Sequence, residues 1–249
     1  MRRARRVLLA LVAGAFLATA VGSAGAASFG NVTCASGTLK AGSYHSITIT
    51  GFCSMPSKGT VSVASDLTVA RHAAFNGISM ATLRVGGDVL VQNDAVAGIG
   101  CSPETGCPGF STTVVKGSVK ASKAWAVILH GMTIKDGLSI VGGGGSMNCG
   151  STALFGGPYY VDLEDSSVGG NALIQGVHSC WLGFIRDNVG GNATIQGNRM
   201  GDPDAMEIVT NTIGGNLGCF NNVPQAHVGD SGGSPNVVGG QKRGECKNL

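Results

Sequence analysis

Apolar positions alternate along this chain, and the alternation returns at a fixed phase. Short stretches open at Val63, Val85, Val115, Ile134, Val168, Val189, Ile213 and Val238. Four residues on stand Leu67, Val89, Val119, Leu138, Ala172, Ala193 and Leu217; two further on stand Val69, Val91, Ala121, Ile140, Ile174, Ile195 and Cys219. A period of two marks strands with one buried face, because successive side chains point to opposite sides. Between the first two sets lies a Gly-Gly pair, plainest in Val168-Gly169-Gly170-Asn171, Val189-Gly190-Gly191-Asn192 and Ile213-Gly214-Gly215-Asn216. The pair is expected to turn the chain, since glycine tolerates positive φ. A second strand is expected before each turn, with the inward pairs Ile78 and Met80, Val127 and Leu129, Val161 and Leu163, Leu182 and Phe184, and Met206 and Ile208.

The copies begin 19 to 34 residues apart. Several short strands in a unit of that length match one coil of a parallel β-helix, in which each coil buries its apolar face only by stacking on the next. A sandwich or an up-and-down barrel would also alternate, but would not bring Gly-Gly-Asn back to one phase. The expected fold is all-β: a right-handed parallel β-helix of about 7–9 coils. The handedness follows from the general preference of parallel crossovers. Residues 61–219 are expected to form the coils, 28–60 an N-terminal cap and 220–249 a C-terminal cap, with 28–249 a single domain. The long copies carry inserts at 98–108 and 142–158, expected on one side of the helix, where solenoids usually carry function.

Composition narrows the class. There are 42 glycines in 249 residues, but no G-X-Y period, so collagen is excluded. The 43% hydrophobic content argues against a disordered chain. Arg2, Arg3, Arg5 and Arg6 precede an apolar run, Val7 to Ala20, and a small-residue stretch, Ala24 to Ala27. Residues 1–27 read as a secretory signal peptide, the run being short for a membrane span. The paired arginines leave the export route open. The expected location is secreted, extracellular or cell-wall associated, with no membrane span after signal removal. Without those four arginines the formal charge falls from +3 to −1. No basic cluster remains for nucleic acid.

All eight cysteines lie beyond residue 27. In an exported chain an even count favours disulfides over zinc. Of 105 possible connectivities, sequential pairing is preferred: Cys34–Cys53, Cys101–Cys107, Cys149–Cys180 and Cys219–Cys246.

The carboxylates are the first candidates for chemistry. Asp162, Glu164 and Asp165 fall in one coil, Arg186 and Asp187 in the next, and Asp202, Asp204 and Glu207 in a third. Phase alignment sets Asp165 beside Arg186, and Asp162 two coils from Glu207. Asp162, Glu164, Asp165, Asp187 and Glu207 are the candidate catalytic set, by analogy with lateral carboxylates used with Ca²⁺ or as acid/base pairs. The simpler reading of Asp165 with Arg186 is a surface ion pair. Tyr160 and Trp181 share a phase and, with Arg186, are candidate ligand-binding residues. Asn171, Asn192 and Asn216 share another phase, read as an amide ladder between coils. Gly229-Asp230-Ser231-Gly232-Gly233 copies the nucleophile motif of chymotrypsin-like proteases, but no histidine has that family's setting. His130 and His178 differ in phase, so no metal and no cofactor are expected. Gly142 to Gly145 reads as a flexible loop that lacks the residues of a phosphate or calcium motif.

The Gly-Gly-Asn coils, Cys180-Trp181-Leu182-Gly183-Phe184-Ile185-Arg186, Asp202-Pro203-Asp204-Ala205 and the ending from Val228 to Cys246 together resemble a group of uncharacterised secreted actinobacterial proteins similar to right-handed parallel β-helix proteins. The resemblance implies fold and export and transfers no catalytic residue; likeness to pectate lyases is architectural only. The leading expectation is a non-enzymatic scaffold that binds a polysaccharide or cell-surface component. The alternative is a polysaccharide lyase or glycoside hydrolase of the pectin-degrading β-helix type, and the minor alternative is a serine protease at 229–233. An enzyme should hold a cleft with convergent carboxylates, at least one of shifted pKa. A scaffold should show a flat, ladder-lined face.

Overall fold

The computed structural model describes residues 28–151, 157–229 and 231–249. It is a parallel β-helix with three faces. Gly42–Ser54 runs along all three faces, pairing in turn with Thr60–Val63, Leu67–Val69 and Ala74–Gly77. The first face continues through Val85, Val115, Ile134, Val168, Val189, Ile213 and Val238, stacked in register. The second continues through Val89, Val119, Leu138, Ala172, Ala193 and Leu217. The third stacks Val96–Ile99, Ala126–His130, Tyr160–Glu164, Trp181–Ile185 and Glu207–Val209. Inward residues of all three faces form one continuous apolar core, with large fully buried side chains such as Phe75, Leu129, Leu163 and Phe184.

The stacking extends past 61–219 at both ends. Ser28–Thr38 pairs in parallel with Gly42–Ser54, and Val237–Val238 and Lys242–Gly244 pair with the preceding coil. The terminal segments thus extend the ladder rather than merely lidding it. The eight cysteines pair off in chain order: Cys34–Cys53, Cys101–Cys107, Cys149–Cys180 and Cys219–Cys246. Four disulfides fit an oxidising compartment. Among the described residues no helix is long and apolar enough to cross a membrane. The expected signal peptide, residues 1–27, lies outside the described residues.

Three local expectations are corrected. The Gly-Gly pairs do not adopt positive φ. They are required because coils approach closely: a Cβ on Gly190 would sit 2.3 Å from the Gly169 carbonyl oxygen, and one on Gly214 2.5 Å from that of Gly190. Left-handed backbone occurs instead at the corner after the third face, at Gly131, Asp165, Arg186 and Thr210, with φ between 52° and 61°. The second correction concerns Ile78 and Met80, which do not face inward; Met80 is 43% exposed. In that coil Phe75 and Gly77 stack beneath Ala97 and Ile99, because the third-face strand ends three residues before Met80. The third correction concerns the inserts, which leave from opposite ends of the third face. Residues 100–112 follow its strand Val96–Ile99, whereas 142–159 precede its strand Tyr160–Glu164. They therefore flank one face from both ends. The Gly142–Gly145 stretch is anchored: Gly142 N–H donates to Gln175 O, Gly144 N–H to Ala124 O, and Gly143 O accepts from His178 N–H.

Candidate functional site

On the third face, alternate residues point outward and form rows that run up the coils. One row is Gly98, Ile128, Asp162, Gly183 and Glu207. The next holds His130, Glu164, Ile185 and Val209. A third pairs Tyr160 with Trp181, their rings edge to face at 5.7 Å. Parallel stacking thus brings His130, Asp162 and Glu164 together, although 32 residues separate the first two. A pocket of about 500 Å³ opens over them. Its ends are the two inserts, Glu104 and Thr105 on one side and Gly157 and Pro158 on the other; Tyr160, Trp181 and Asp202 complete the wall. Cys101–Cys107 closes the first insert, and Cys149 of the second is bonded to Cys180, beside Trp181.

The polar groups at the pocket floor are buried and mutually oriented. His130 Nε2 lies 2.7 Å from Asp162 Oδ2, and its Nδ1 lies 3.0 Å from Ser102 Oγ. Burial opposes the imidazolium. The Asp162 hydrogen bond and the charges of Asp162, Glu164 and Asp165 outweigh it and lift His130 above its ordinary value. Glu164 is pushed up to about 8, first by burial and then by the neighbouring Asp162 charge. Arg186 works against that shift, donating from Nη2 to Glu164 Oε2 at 2.7 Å. It does not prevail, because its guanidinium is already shared with Asp165 at 2.6 and 2.9 Å. Asp162 Oδ1 is buried and has no hydrogen-bond partner among the described residues. Gly183 makes this packing possible: a Cβ there would lie 2.3 Å from Trp181 Cη2 and 2.7 Å from Asp162 Oδ1.

Ser102, His130 and Asp162 share the residue types of a hydrolytic triad but not its function. Ser102 is fully buried, so its hydroxyl cannot meet a substrate and serves to orient the imidazole.

The five candidate carboxylates separate. Asp162 and Glu164 share the pocket. Asp165 sits at the following corner, held by Arg186, so Arg186 organises the acids rather than lining the pocket wall. Asp187 lies in the protein interior, in a side-chain ladder with Asn211 and Asn236: its Oδ1 accepts from Ser166 N–H, and its own N–H donates to Asn211 Oδ1. Glu207 stands two coils from Asp162, in the expected row, but is covered by the chain at Gly229 and hydrogen-bonded by the Ser231 hydroxyl. The protease-like Ser231 therefore faces a carboxylate; Asp230 of that motif lies outside the described residues. Asn171, Asn192 and Asn216 form a ladder, each Oδ1 accepting the backbone N–H at the equivalent position of the next coil. His130 and Ser102 were missed from sequence. The usable signal was in hand, since His130 lies one residue beyond the inward pair Val127 and Leu129, as Glu164 lies one beyond Val161 and Leu163.

The chain matches no known protein family, no curated protein and no solved structure.

Proposed function

We propose that this protein is a secreted glycan-cleaving enzyme, a glycoside hydrolase rather than a scaffold, with Glu164 as proton donor and Asp162 as its partner carboxylate. The observation that carries this reading is the convergence of a buried, proton-retaining Glu164 with Asp162 and His130 in an aromatic-walled pocket. Glycoside hydrolysis needs one carboxyl that keeps its proton and a second that meets positive charge at the anomeric carbon. Burial and a like neighbour supply the first. His130 holds the second by one oxygen. One oxygen from each carboxyl, with a ring nitrogen of His130, fall within 4.8 Å of one another, nearer the close spacing of retaining enzymes than the wide spacing of inverting ones. In the proposed reaction the Glu164 proton passes to the glycosidic oxygen as its bond to the anomeric carbon breaks. Asp162 balances the developing oxocarbenium charge, and water completes the exchange, returning its proton to Glu164.

The charge of the site weighs against a lyase acting on polyuronates. Glu104, Asp162 and Asp202 line the pocket beside the proton-retaining Glu164, with His130 the sole basic side chain among its described lining residues and Arg186 behind Glu164 and Glu104. An anionic sugar chain would enter against that field. The test is product analysis over a panel of neutral, acidic and amino-sugar polysaccharides across pH. Shortened products with retained anomeric configuration, and a rate that falls above pH about 8 as Glu164 loses its proton, are the expected result. Binding without product on every member of the panel would return the protein to the scaffold reading.

A further inference from the structure

Several features of the pocket bear on which sugar it takes. Glu104 and Asp202 stand on its rim. Glu104 is 60% exposed and reaches its nearest cation, Arg186, only at 3.5 Å. Asp202 accepts one hydrogen bond, from the Asp204 backbone N–H at 2.9 Å. Arg186 is thus a long ion-pair partner for Glu104, and Asp202 has no cationic partner among the described residues. At the floor, Asp162 lines the pocket at 5% exposure, its Oδ1 enclosed and without a hydrogen-bond partner among the described residues. Between rim and floor stand Tyr160 and Trp181, whose ring faces attract cations. A loosely ion-paired rim carboxylate, a second with no cationic partner among the described residues, and an aromatic wall above an acid with one unfilled oxygen are together the complement of an organic cation.

We propose that the pocket takes a cationic amino sugar, its ammonium group held between the Glu104 and Asp202 carboxylates and the aromatic wall formed by Tyr160 and Trp181. This names the substrate class within the function proposed above and rests on it. A metal ion is the competing occupant, since His130, Asp162 and Glu164 stand close enough to ligate one. The amino sugar is favoured because His130 Nε2 is already engaged by Asp162 and because aromatic walls and a volume of about 500 Å³ serve a sugar ring rather than an ion.

The experiment is calorimetric titration of Glu164→Gln protein, which should bind without turnover. The three probes are β-1,4-linked hexamers: glucosamine, N-acetylglucosamine and glucose. The glucosamine hexamer should bind about ten-fold or more tightly than either neutral one. That advantage should shrink at high salt and disappear in Glu104→Gln/Asp202→Asn protein, whose changed side chains lie on inserted or turn segments away from the core. Equal or tighter binding of a neutral hexamer, or no binding of the glucosamine hexamer, overturns the proposal. Displacement of the sugar by Ca²⁺ or Zn²⁺ at lower concentration also overturns it and assigns the pocket to a metal. Cleavage by the unaltered protein is scored separately on the same three oligomers. Cleavage without cation preference defeats the substrate class and spares the hydrolase, while preference without cleavage does the reverse.

Discussion

Two buried acids lie one coil apart and differ in what surrounds them. Glu164 and Asp187 both retain protons far above the ordinary carboxylate range, and in both burial is the leading cause. Asp187 stands in a ladder that serves the backbone. Its neighbours along the stack, Asn211 and Asn236, each use Oδ1 to accept a backbone N–H and Nδ2 to donate to a carbonyl, those of Phe184 and Ile208. By the same register the carbonyl opposite Asp187 is that of Leu163. A protonated Asp187 can donate to it, as the asparagines do, whereas an ionised one presents oxygen to oxygen; Oδ2 has no partner among the described residues. Glu164, by contrast, faces a space. The comparison teaches that burial alone shifts a pKa, and that a shifted acid becomes a candidate catalyst only where solvent-sized room and a second group converge on it.

The sharpest way to break this contrast is to remove each proton in turn. Glu164→Gln keeps the shape and hydrogen-bonding capacity of the neutral acid but cannot give up a proton. Glycan cleavage should fall by about 10²-fold or more, with the thermal midpoint unchanged or raised. Loss of folding instead of activity would make Glu164 structural. The reverse experiment plants an acid in the ladder. Asn211→Asp loses the donors to Phe184 O and Asn236 Oδ1 and should cost about 2–3 kcal/mol at neutral pH, with partial recovery in acid where the new carboxyl is protonated. Equal destabilisation at pH 4 and pH 7, measured by denaturant unfolding, would show that packing rather than charge is responsible.

Asp187→Asn is the complement. It completes the ladder and should stabilise the protein by about 1 kcal/mol at neutral pH. The sign follows from linkage: an acid whose folded-state pKa is raised favours the fold while both states are protonated, and that contribution is lost as pH rises from the unfolded value through the folded one. Glu164 imposes the same slope between 4.5 and about 8. Unfolding curves taken across that window should be flatter for Asp187→Asn and flatter again for the double variant with Glu164→Gln. Unaltered slopes would mean that neither acid holds its proton in the fold.

The smallest effect is expected at Ser102. Its hydroxyl only orients His130, so Ser102→Ala should reduce cleavage by several-fold and shift the acid limb of the pH–rate profile, with Glu164's alkaline limb left in place. A uniform loss at all pH values would mark a merely structural role.

Much of the fold was legible because stacking repeats one physical requirement in every coil. Val168, Val189 and Ile213 fill the same interior position, and their recurrence is visible as sequence phase. The same phase set Tyr160 beside Trp181 and Asp165 beside Arg186, because a one-coil register is a fixed sequence offset when no insert intervenes. It misled at Ile78 and Met80, where the turn after Gly77 is longer than the repeat allows. It also misassigned Gly169-Gly170, whose need for glycine is closeness to the coil below rather than a turn angle, a distance that no local pattern encodes.

The site was less legible. Asp162 and Glu164 were picked out, but among five acids with no way to rank them. His130 carries no weight in the sequence when compared only with His178, whose phase differs; its partners are the acids one coil on, Asp162 and Glu164. What the sequence determined by itself was the repeating unit: period-two alternation dictates strands, and an apolar set recurring every coil dictates that strands stack in parallel. What only the tertiary structure decided was which acids are buried together, which are quenched by a neighbour and which are enclosed in a ladder. That depends on where each insert leaves the coil, and so on contacts between residues whose separation in the chain carries no period.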